Sequence, residues 1–456
     1  MNYLTPQKIA EITDGEYIDN EHAYGVTIMG AVRDNRDVKP GNLFVCIRGE
    51  RVDGHSYANS AFRSGAACCL AERVIPEAQG PYVLVGSTLE AIKKLGAYYR
   101  SLFSIPVIGI TGSVGKTTVK EMIAATLESK FHVLKTPKNL NNELGVPLTL
   151  LSLDKDHEAA VIEMGISDFG EMSRLAQMVR PDIFIITKIG YSHIKELGDL
   201  RGVLRAKSEA FACMKQDGIA VLNGDDDILW EYDPGIRRIT FGVDKRNDFR
   251  AENINTESTD AVTCDIAYDT GRFTVRIPSY GSHLAPLSAA AAVTGRLLGL
   301  KDEEISRGLL SYKPVTGRAN VSDTGSITLI NDCYNANPHS VKAALTSLSA
   351  LPTRRIAILG DMLGLGEQSS RLHRDIGAFA ARCGIDIFIC CGEMAELIYN
   401  DYNSSGGGKA YLYPAKADLI TALPGLILKG DNVLVKASRA MKFEEITDYL
   451  ERFTAE

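Results

Sequence analysis

The hydrophobic pattern changes period abruptly near residue 110. Val107, Ile108 and Ile110 are β-formers flanked by Pro106 and Gly109, which predicts a short buried strand. A polar glycine turn follows. Val119, Met122, Ile123, Thr126 and Leu127 then recur at helical spacing, predicting an amphipathic helix. Further strands are predicted at 41–47, 66–70, 133–134, 159–165, 181–187, 219–222 and 238–243, with helices at 56–63, 88–103, 203–214 and 287–300. Residues 249–278 differ: they alternate, are β-branched and carry Asp269-Thr270-Gly271 as a hairpin turn, the mark of a small antiparallel insert. Strand and helix then alternate again, with strands at 327–330, 355–359, 385–391 and 432–435 and helices at 338–349, 370–383 and 441–453. Asn337 caps the first of these helices, with Pro338 as its first residue. Residues 404–408 read as a flexible loop. The pattern predicts an α/β chain of three domains. These are 1–86, a central P-loop-type domain at 87–313 with a mostly parallel sheet and an antiparallel insert, and a Rossmann-like domain at 314–456.

Composition narrows the class. A chain of 456 residues with 45% hydrophobic and 23% charged residues is an ordinary globular protein with room for several cores. A net charge of -7 and the lack of a basic block argue against a nucleic-acid surface. No apolar run reaches membrane-spanning length, and Met1-Asn2-Tyr3-Leu4 has no signal-peptide character, so a cytoplasmic protein is expected. The nine cysteines are scattered without C-x-x-C spacing, which reads as reduced core thiols rather than a zinc site.

The turn between strand and helix carries the chemistry. Thr111, Gly112, Ser113, Val114, Gly115, Lys116, Thr117 and Thr118 form a phosphate cradle, with glycines for close backbone approach and amides at a helix N-terminus facing the anion. Lys116 would reach the β/γ-phosphates and the Thr117 hydroxyl would ligate Mg²⁺. The strict P-loop spacing puts its first glycine at Ile110, whereas Gly109 lies one residue too early; an ordinary Gly-rich turn with a solvated lysine is the competing reading. Asn139, Asn141 and Asn142 crowd a loop rich in amide donors and acceptors. Glu163 ends a buried strand, where an acid suits Mg²⁺ or else pairs with a surface lysine. Asp53-Gly54-His55, in the polar loop that includes Glu50 and Arg51, reads on its own as a turn.

Taken together these motifs resemble the ATP-dependent Mur ligases over essentially the whole chain. The resemblance lies in Asp34-Asn35-Arg36, Pro40-Gly41, Asp53-Gly54-His55, residues 111–118, Asn139-Leu140-Asn141-Asn142, Glu163-Met164-Gly165, Ser192-His193 and Ala206-Lys207-Ser208-Glu209. It continues in Gly317-Arg318, Asp332-Cys333-Tyr334-Asn335-Ala336-Asn337-Pro338, Leu359-Gly360-Asp361-Met362 and Lys436-Ala437-Ser438-Arg439. The Tyr-Asn-Ala-Asn-Pro and Leu-Gly-Asp-Met runs resemble the branch that adds a dipeptide. That implies an amide ligase joining D-Ala-D-Ala to UDP-N-acetylmuramoyl-tripeptide through an acyl phosphate, with ATP and Mg²⁺, in peptidoglycan precursor synthesis, as a monomer. The resemblance implies that the first domain holds the UDP-sugar, with Arg36, Asp53, Gly54 and His55 at the substrate, together with Asn141 and Asn142. It implies that the last domain presents the amine near Tyr334, Asn335 and Asn337. It places Asn139, His283, Arg318 and Asp332 at the nucleotide, and Glu163, His193 and a carbamylated Lys207 at metal; a solvated helix lysine is the alternative for Lys207.

The departures fall around the base and the metal. Leu284 and Leu287 occupy the positions where the family carries asparagines beside adenine, so base recognition is expected to be weaker or made elsewhere. Lys195 and Lys188 replace an acid after His193 and an asparagine before Ile189-Gly190. Two other readings stay open: a related muramyl-peptide or folylpolyglutamate-type ligase with another amine, and a UDP-muramyl-peptide binding protein weakened in catalysis.

Overall fold

The computed structural model describes residues 4–18, 27–49, 52–256 and 259–454; Glu50 and Arg51 of the predicted polar loop, and Met1 to Tyr3, lie outside them. The strands form three sheets, of five, nine and six strands. Two compact units result: Met1–Thr111 with Phe131–Phe184 and Ser208–Ile219, and Gly112–Lys130 with Ile185–Lys207 and Ala220–Glu456.

In the first unit the five-stranded sheet runs in the order Glu16–Ile18, Tyr82–Leu84, Cys68–Ala71, Asn42–Val45, Gly30–Val32. Only Glu16–Ile18 pairs antiparallel. Phe44, Cys46, Cys69, Ala71 and Tyr82 close its core with Ala58 and Ala61. Ser87 caps the helix Thr88–Ser101 by accepting from the Glu90 N–H, which fixes the predicted helix start. Val107–Thr111 pairs parallel with Ala159–Glu163, and that strand with Val133–Lys135. Gly109 lies inside the strand, where an added Cβ would come 2.8 Å from Phe184 and 3.0 Å from the Met164 sulfur. It is a packing glycine, and so cannot serve as the first glycine of the loop. The helices Gly145–Leu150 and Glu171–Val179 were not anticipated; the second buries Met172, Leu175, Ala176 and Val179 on one face.

In the second unit the helix Lys116–Leu127 packs against Leu284–Leu297. That second helix starts one turn earlier than predicted, because Leu284 and Ala285 are buried as well. The insert is present: Phe249–Asn255, Val262–Tyr268 and Gly271–Ile277 pair antiparallel, with the hairpin between Tyr268 and Gly271. The six-stranded sheet runs Asn320–Asp323, Thr328–Asn331, Asn432–Lys436, Arg355–Gly360, Ile387–Cys391, Lys409–Tyr413, all parallel except the first pair. Apolar clusters cover both of its faces, as a Rossmann-like sheet requires. Asn337 caps Pro338–Ser349 as predicted. Four elements at this sheet were missed among the described residues, the helices Ala395–Ser404 and Lys416–Ala422 and the edge strands Asn320–Asp323 and Lys409–Tyr413. The supposed flexible loop is a tied turn. The Gly407 N–H donates to the Tyr402 carbonyl at 2.9 Å, and the Tyr402 hydroxyl accepts from Gly408 and donates to the Ile385 carbonyl. All nine cysteines are free thiols, and no helix among the described residues is long and apolar enough to cross a membrane.

Candidate active site

The phosphate loop is laced to the segment after Ile183–Ile186. The Ser113 N–H donates to the Lys188 carbonyl at 2.8 Å, and its hydroxyl exchanges hydrogen bonds with Gly190 at 2.9 Å. The Thr187 hydroxyl donates to the Val114 carbonyl at 2.5 Å. Gly112 has φ +147, and a Cβ there would lie 2.0 Å from Thr187 Oγ1, so no side chain fits. Gly115, at φ +86, caps the helix opened by Lys116. The Lys116 ammonium donates to the Gly112 carbonyl at 2.7 Å, curling over its own loop. Helix N-terminus, glycines and lysine thus assemble as an anion cradle without the strict spacing.

A cavity of about 330 Å³ opens at this loop. Ser113, Val114, Gly115, Lys116, Thr117 and Thr118 line it with His283, Arg318, Asp332, Tyr334, Asn335 and Asn337. His283, Arg318 and Asp332, expected at the nucleotide, therefore share one cavity with Tyr334, Asn335 and Asn337, expected at the amine, whereas Asn139 does not line it. The Arg318 guanidinium lies over the Tyr334 ring at 4.3 Å and that of Arg439 at 5.4 Å. Asp332 accepts from the Ala319 N–H at 3.2 Å and is held by Lys436, whose ammonium lies 2.5 Å from Oδ2 and donates to the Asn335 carbonyl at 3.0 Å. Tyr280, His339, Ser347 and Lys436 also line the cavity. Sequence reasoning missed the first three, whose residue types carry no motif; Lys436 was read only as part of a family run.

Lys207 and His193 belong to the same unit and do not line that cavity. Lys207 is buried on the helix Leu200–Ser208, not on the longer helix expected; the chain tightens to 3₁₀ at Glu209–Cys213. Burial, then the charge of Lys116, pushes its amine well below the usual lysine range. It is not the solvated helix lysine of the alternative reading. His193, at φ 54, starts the short helix Ile194–Leu197. Lys188, the departure beside it, lies 3.8 Å from Asp226, which also accepts from the Ile189 N–H at 2.9 Å.

In the first unit Glu163 is buried at its strand end. Asn141 Nδ2 donates to its Oε1 at 2.7 Å, and Thr136 Oγ1 accepts from its N–H at 2.9 Å. Asn139 accepts from the Asn141 N–H through its carbonyl, while the Asn142 side chain accepts from the N–H of Gly145, the first residue of Gly145–Leu150. The imidazole of His55 is committed at both nitrogens. Nδ1 meets Asp53 at 2.6 Å and Nε2 accepts from the Glu72 N–H at 2.8 Å. Backbone and side-chain hydrogen bonds from His55 hold the Asp53 carboxyl below its usual range. Arg36 is exposed and pairs with Asp34 at 2.5 Å, leaving much of its guanidinium open to solvent. Thr111 is buried at the end of its strand.

Comparison with known proteins agrees along the chain. Three family descriptions match in succession: the Mur ligase family catalytic domain over 27–100, the Mur ligase middle domain over 110–295, and the Mur ligase glutamate ligase domain over 317–439. The UDP-N-acetylmuramoyl-tripeptide–D-alanyl-D-alanine ligase of Bacillus subtilis is 35% identical, with 97% of each chain covered. A crystal structure of MurF from Acinetobacter baumannii superposes with a TM-score of 0.89 at 30% identity, covering 98% of this chain and 99% of that one. MurF from Thermotoga maritima, solved in complex with ADP, gives 0.82 at 30% identity over 94% and 98%. This chain therefore belongs to the Mur ligase family.

Proposed function

We propose that this protein is an ATP-dependent amide ligase that joins D-alanyl-D-alanine to UDP-N-acetylmuramoyl-tripeptide through an acyl phosphate, a step of peptidoglycan precursor synthesis. The observation that carries the reading is the cavity in which Lys116 and Thr117 lie with Arg318, Asp332, Tyr334 and Asn335. A carboxylate is a poor electrophile until phosphorylated, and moving a phosphoryl group between anions needs fixed positive charge. Lys116 supplies that charge at the loop. Arg318, braced on Tyr334, adds a second cation to the cavity. Asp332, fixed by Lys436, suits the ribose hydroxyls as a hydrogen-bond acceptor.

Mg²⁺ fits the oxygen donors present. Thr117, Glu163 and a carbamate on Lys207 would each offer the oxygen ligand that a hard cation prefers. Bound there, the ion would neutralise phosphate charge. His193 belongs to the same reading as a metal-side residue. The segments 1–86, 87–313 and 314–456 take the UDP-sugar, the nucleotide and the amine. In the first, Arg36 keeps an exposed guanidinium for an anionic ligand, whereas His55 acts by shaping its loop. The reading also makes the protein a cytoplasmic monomer.

The test is phosphate release from ATP with UDP-muramyl-tripeptide, with and without D-Ala-D-Ala. Release that depends on the dipeptide is expected, and Lys116→Ala should abolish it while sparing binding of the UDP-substrate. Release driven equally by another amine would overturn the assignment of the amine.

A further inference from the structure

The cavity contains a group of polar atoms that the chain itself leaves unpaired. Tyr280 and Ser347 are 3% and 6% exposed. The Tyr280 hydroxyl, the Ser347 hydroxyl and His283 Nδ1 are each buried with no hydrogen-bond partner among the described residues. All three residues line the cavity that contains the phosphate loop. Gly281 shows how closely two of them converge. Its φ is +112, and a Cβ built on it would lie 2.6 Å from His283 Nδ1 and 3.3 Å from Ser347 Oγ. Only glycine lets both atoms approach that point.

Apolar side chains share the cavity with this group. Leu284, Leu287, Ile330, Ala344 and Leu434 line the same cavity. Folded proteins pair nearly all their buried polar atoms, because an unmade hydrogen bond there costs stability. Three such atoms in a cavity that also has apolar wall residues have the character of a ligand site. Leu284 and Leu287 offer no hydrogen bond at the helix start, so the groups that can must lie elsewhere on the wall.

We infer that Tyr280, His283 and Ser347 hydrogen-bond the purine base of the bound nucleotide, in place of the amides that Leu284 and Leu287 lack. The inference rests on the ATP-ligase reading. Hydroxyls both donate and accept. Burial, reinforced by Lys436 and opposed by Asp332, keeps His283 neutral, with one ring nitrogen donating and the other accepting. Groups of either polarity can meet a 6-amino or a 6-oxo purine. ITP should therefore replace ATP with less than about a tenfold loss of kcat/KM.

The experiment uses the full chain and its Tyr280→Phe and Ser347→Ala variants, with AMP-PNP and inorganic tripolyphosphate as probes in calorimetry. Each variant should bind AMP-PNP about tenfold more weakly and tripolyphosphate as wild type does. Melting temperatures without ligand should hold or rise, because each substitution removes an unpaired buried hydroxyl. Wild-type affinity of both variants for AMP-PNP overturns the inference. Equal loss of both probes also overturns it, because the hydroxyls would then shape the phosphate site. A wild-type chain that binds tripolyphosphate but not AMP-PNP would remove the ATP reading and this inference together.

Discussion

The side-chain amide of Asn141 donates to the carboxylate of Glu163 over 2.7 Å, while Thr136 fixes the Glu163 backbone N–H at 2.9 Å. These hydrogen bonds fix the aim of a buried acid. That is how a metal-binding carboxylate is oriented by its surroundings.

Glu163→Gln should therefore lose about a hundredfold or more in ligation rate with little change in melting temperature. The amide matches the carboxylate in shape but brings no charge to a cation. Asn141→Leu should lose about tenfold, recovered in part at high Mg²⁺, because it frees the carboxylate without removing it. Ligation rate against Mg²⁺ concentration measures both. A Gln variant active across the whole range would make Glu163 a structural residue.

What could be read from the sequence was what local rules dictate. Gly112 and Gly115 answer to backbone geometry, Asn337 and Pro338 to helix capping, and Val262 to Ile277 to period two, and each falls where predicted. The departures differ in kind. Glu171–Val179 does carry helical spacing in Met172, Leu175, Ala176 and Val179 and was legible in principle, whereas Lys409–Tyr413 alternates weakly because it is a sheet edge. The site residues missed, Tyr280, His339 and Ser347, are brought to the cavity by folding between distant segments, and no local pattern marks such residues. His55 shows the converse: its motif was legible, but its two internal hydrogen bonds were not.

Lys436 and Asp332 form a pair whose lysine is 2% exposed and whose carboxylate also fixes the backbone at Ala319. Removing one partner of a buried pair strands the other charge. Lys436→Met should cost about 3 kcal/mol of stability and raise KM for ATP. The double variant with Asp332→Asn should cost clearly less than the two single changes summed, because it leaves no stranded charge. Urea denaturation of the four proteins supplies the cycle, and simple additivity would mean that the pair does not act as one.

His339 stacks on Tyr191 with ring centroids 6.3 Å apart, and a Cβ on Gly190 would lie 2.9 Å from its Cδ2. Burial above all, then the charges of Lys188 and Lys342 against that of Asp226, lowers its pKa from 6.5 to about 4. Between those values the unfolded chain binds more protons than the folded one, so stability rises with pH across that window and falls on acidification. The shift corresponds to about 3 kcal/mol between pH 7 and pH 4. His339→Phe, which cannot titrate, should flatten the acid limb of melting temperature against pH. An unchanged slope would place the acid sensitivity in other groups.

Lys207 bears most directly on the chemistry. It is 2% exposed, and burial together with the nearby positive charge of Lys116 disfavours its ammonium form. A neutral amine is the form that adds to CO₂; the new N–C bond yields a carbamate as the nitrogen gives up a proton. The product carries a negative charge where an ammonium would repel Mg²⁺. Lys207→Ala should then be nearly inactive, and formate or bicarbonate at high concentration should partly restore it by supplying an anion in the space left by the side chain. Lys207→Arg should resist rescue, because its guanidinium fills the space and stays protonated. Ligation rate against added formate for both variants, with wild-type enzyme assayed in CO₂-depleted buffer, provides the test. The wild type should lose activity slowly under depletion and regain it on adding bicarbonate. A fully active Lys207→Ala enzyme would end the idea, and equal rescue of both variants would show that the anion acts at another site.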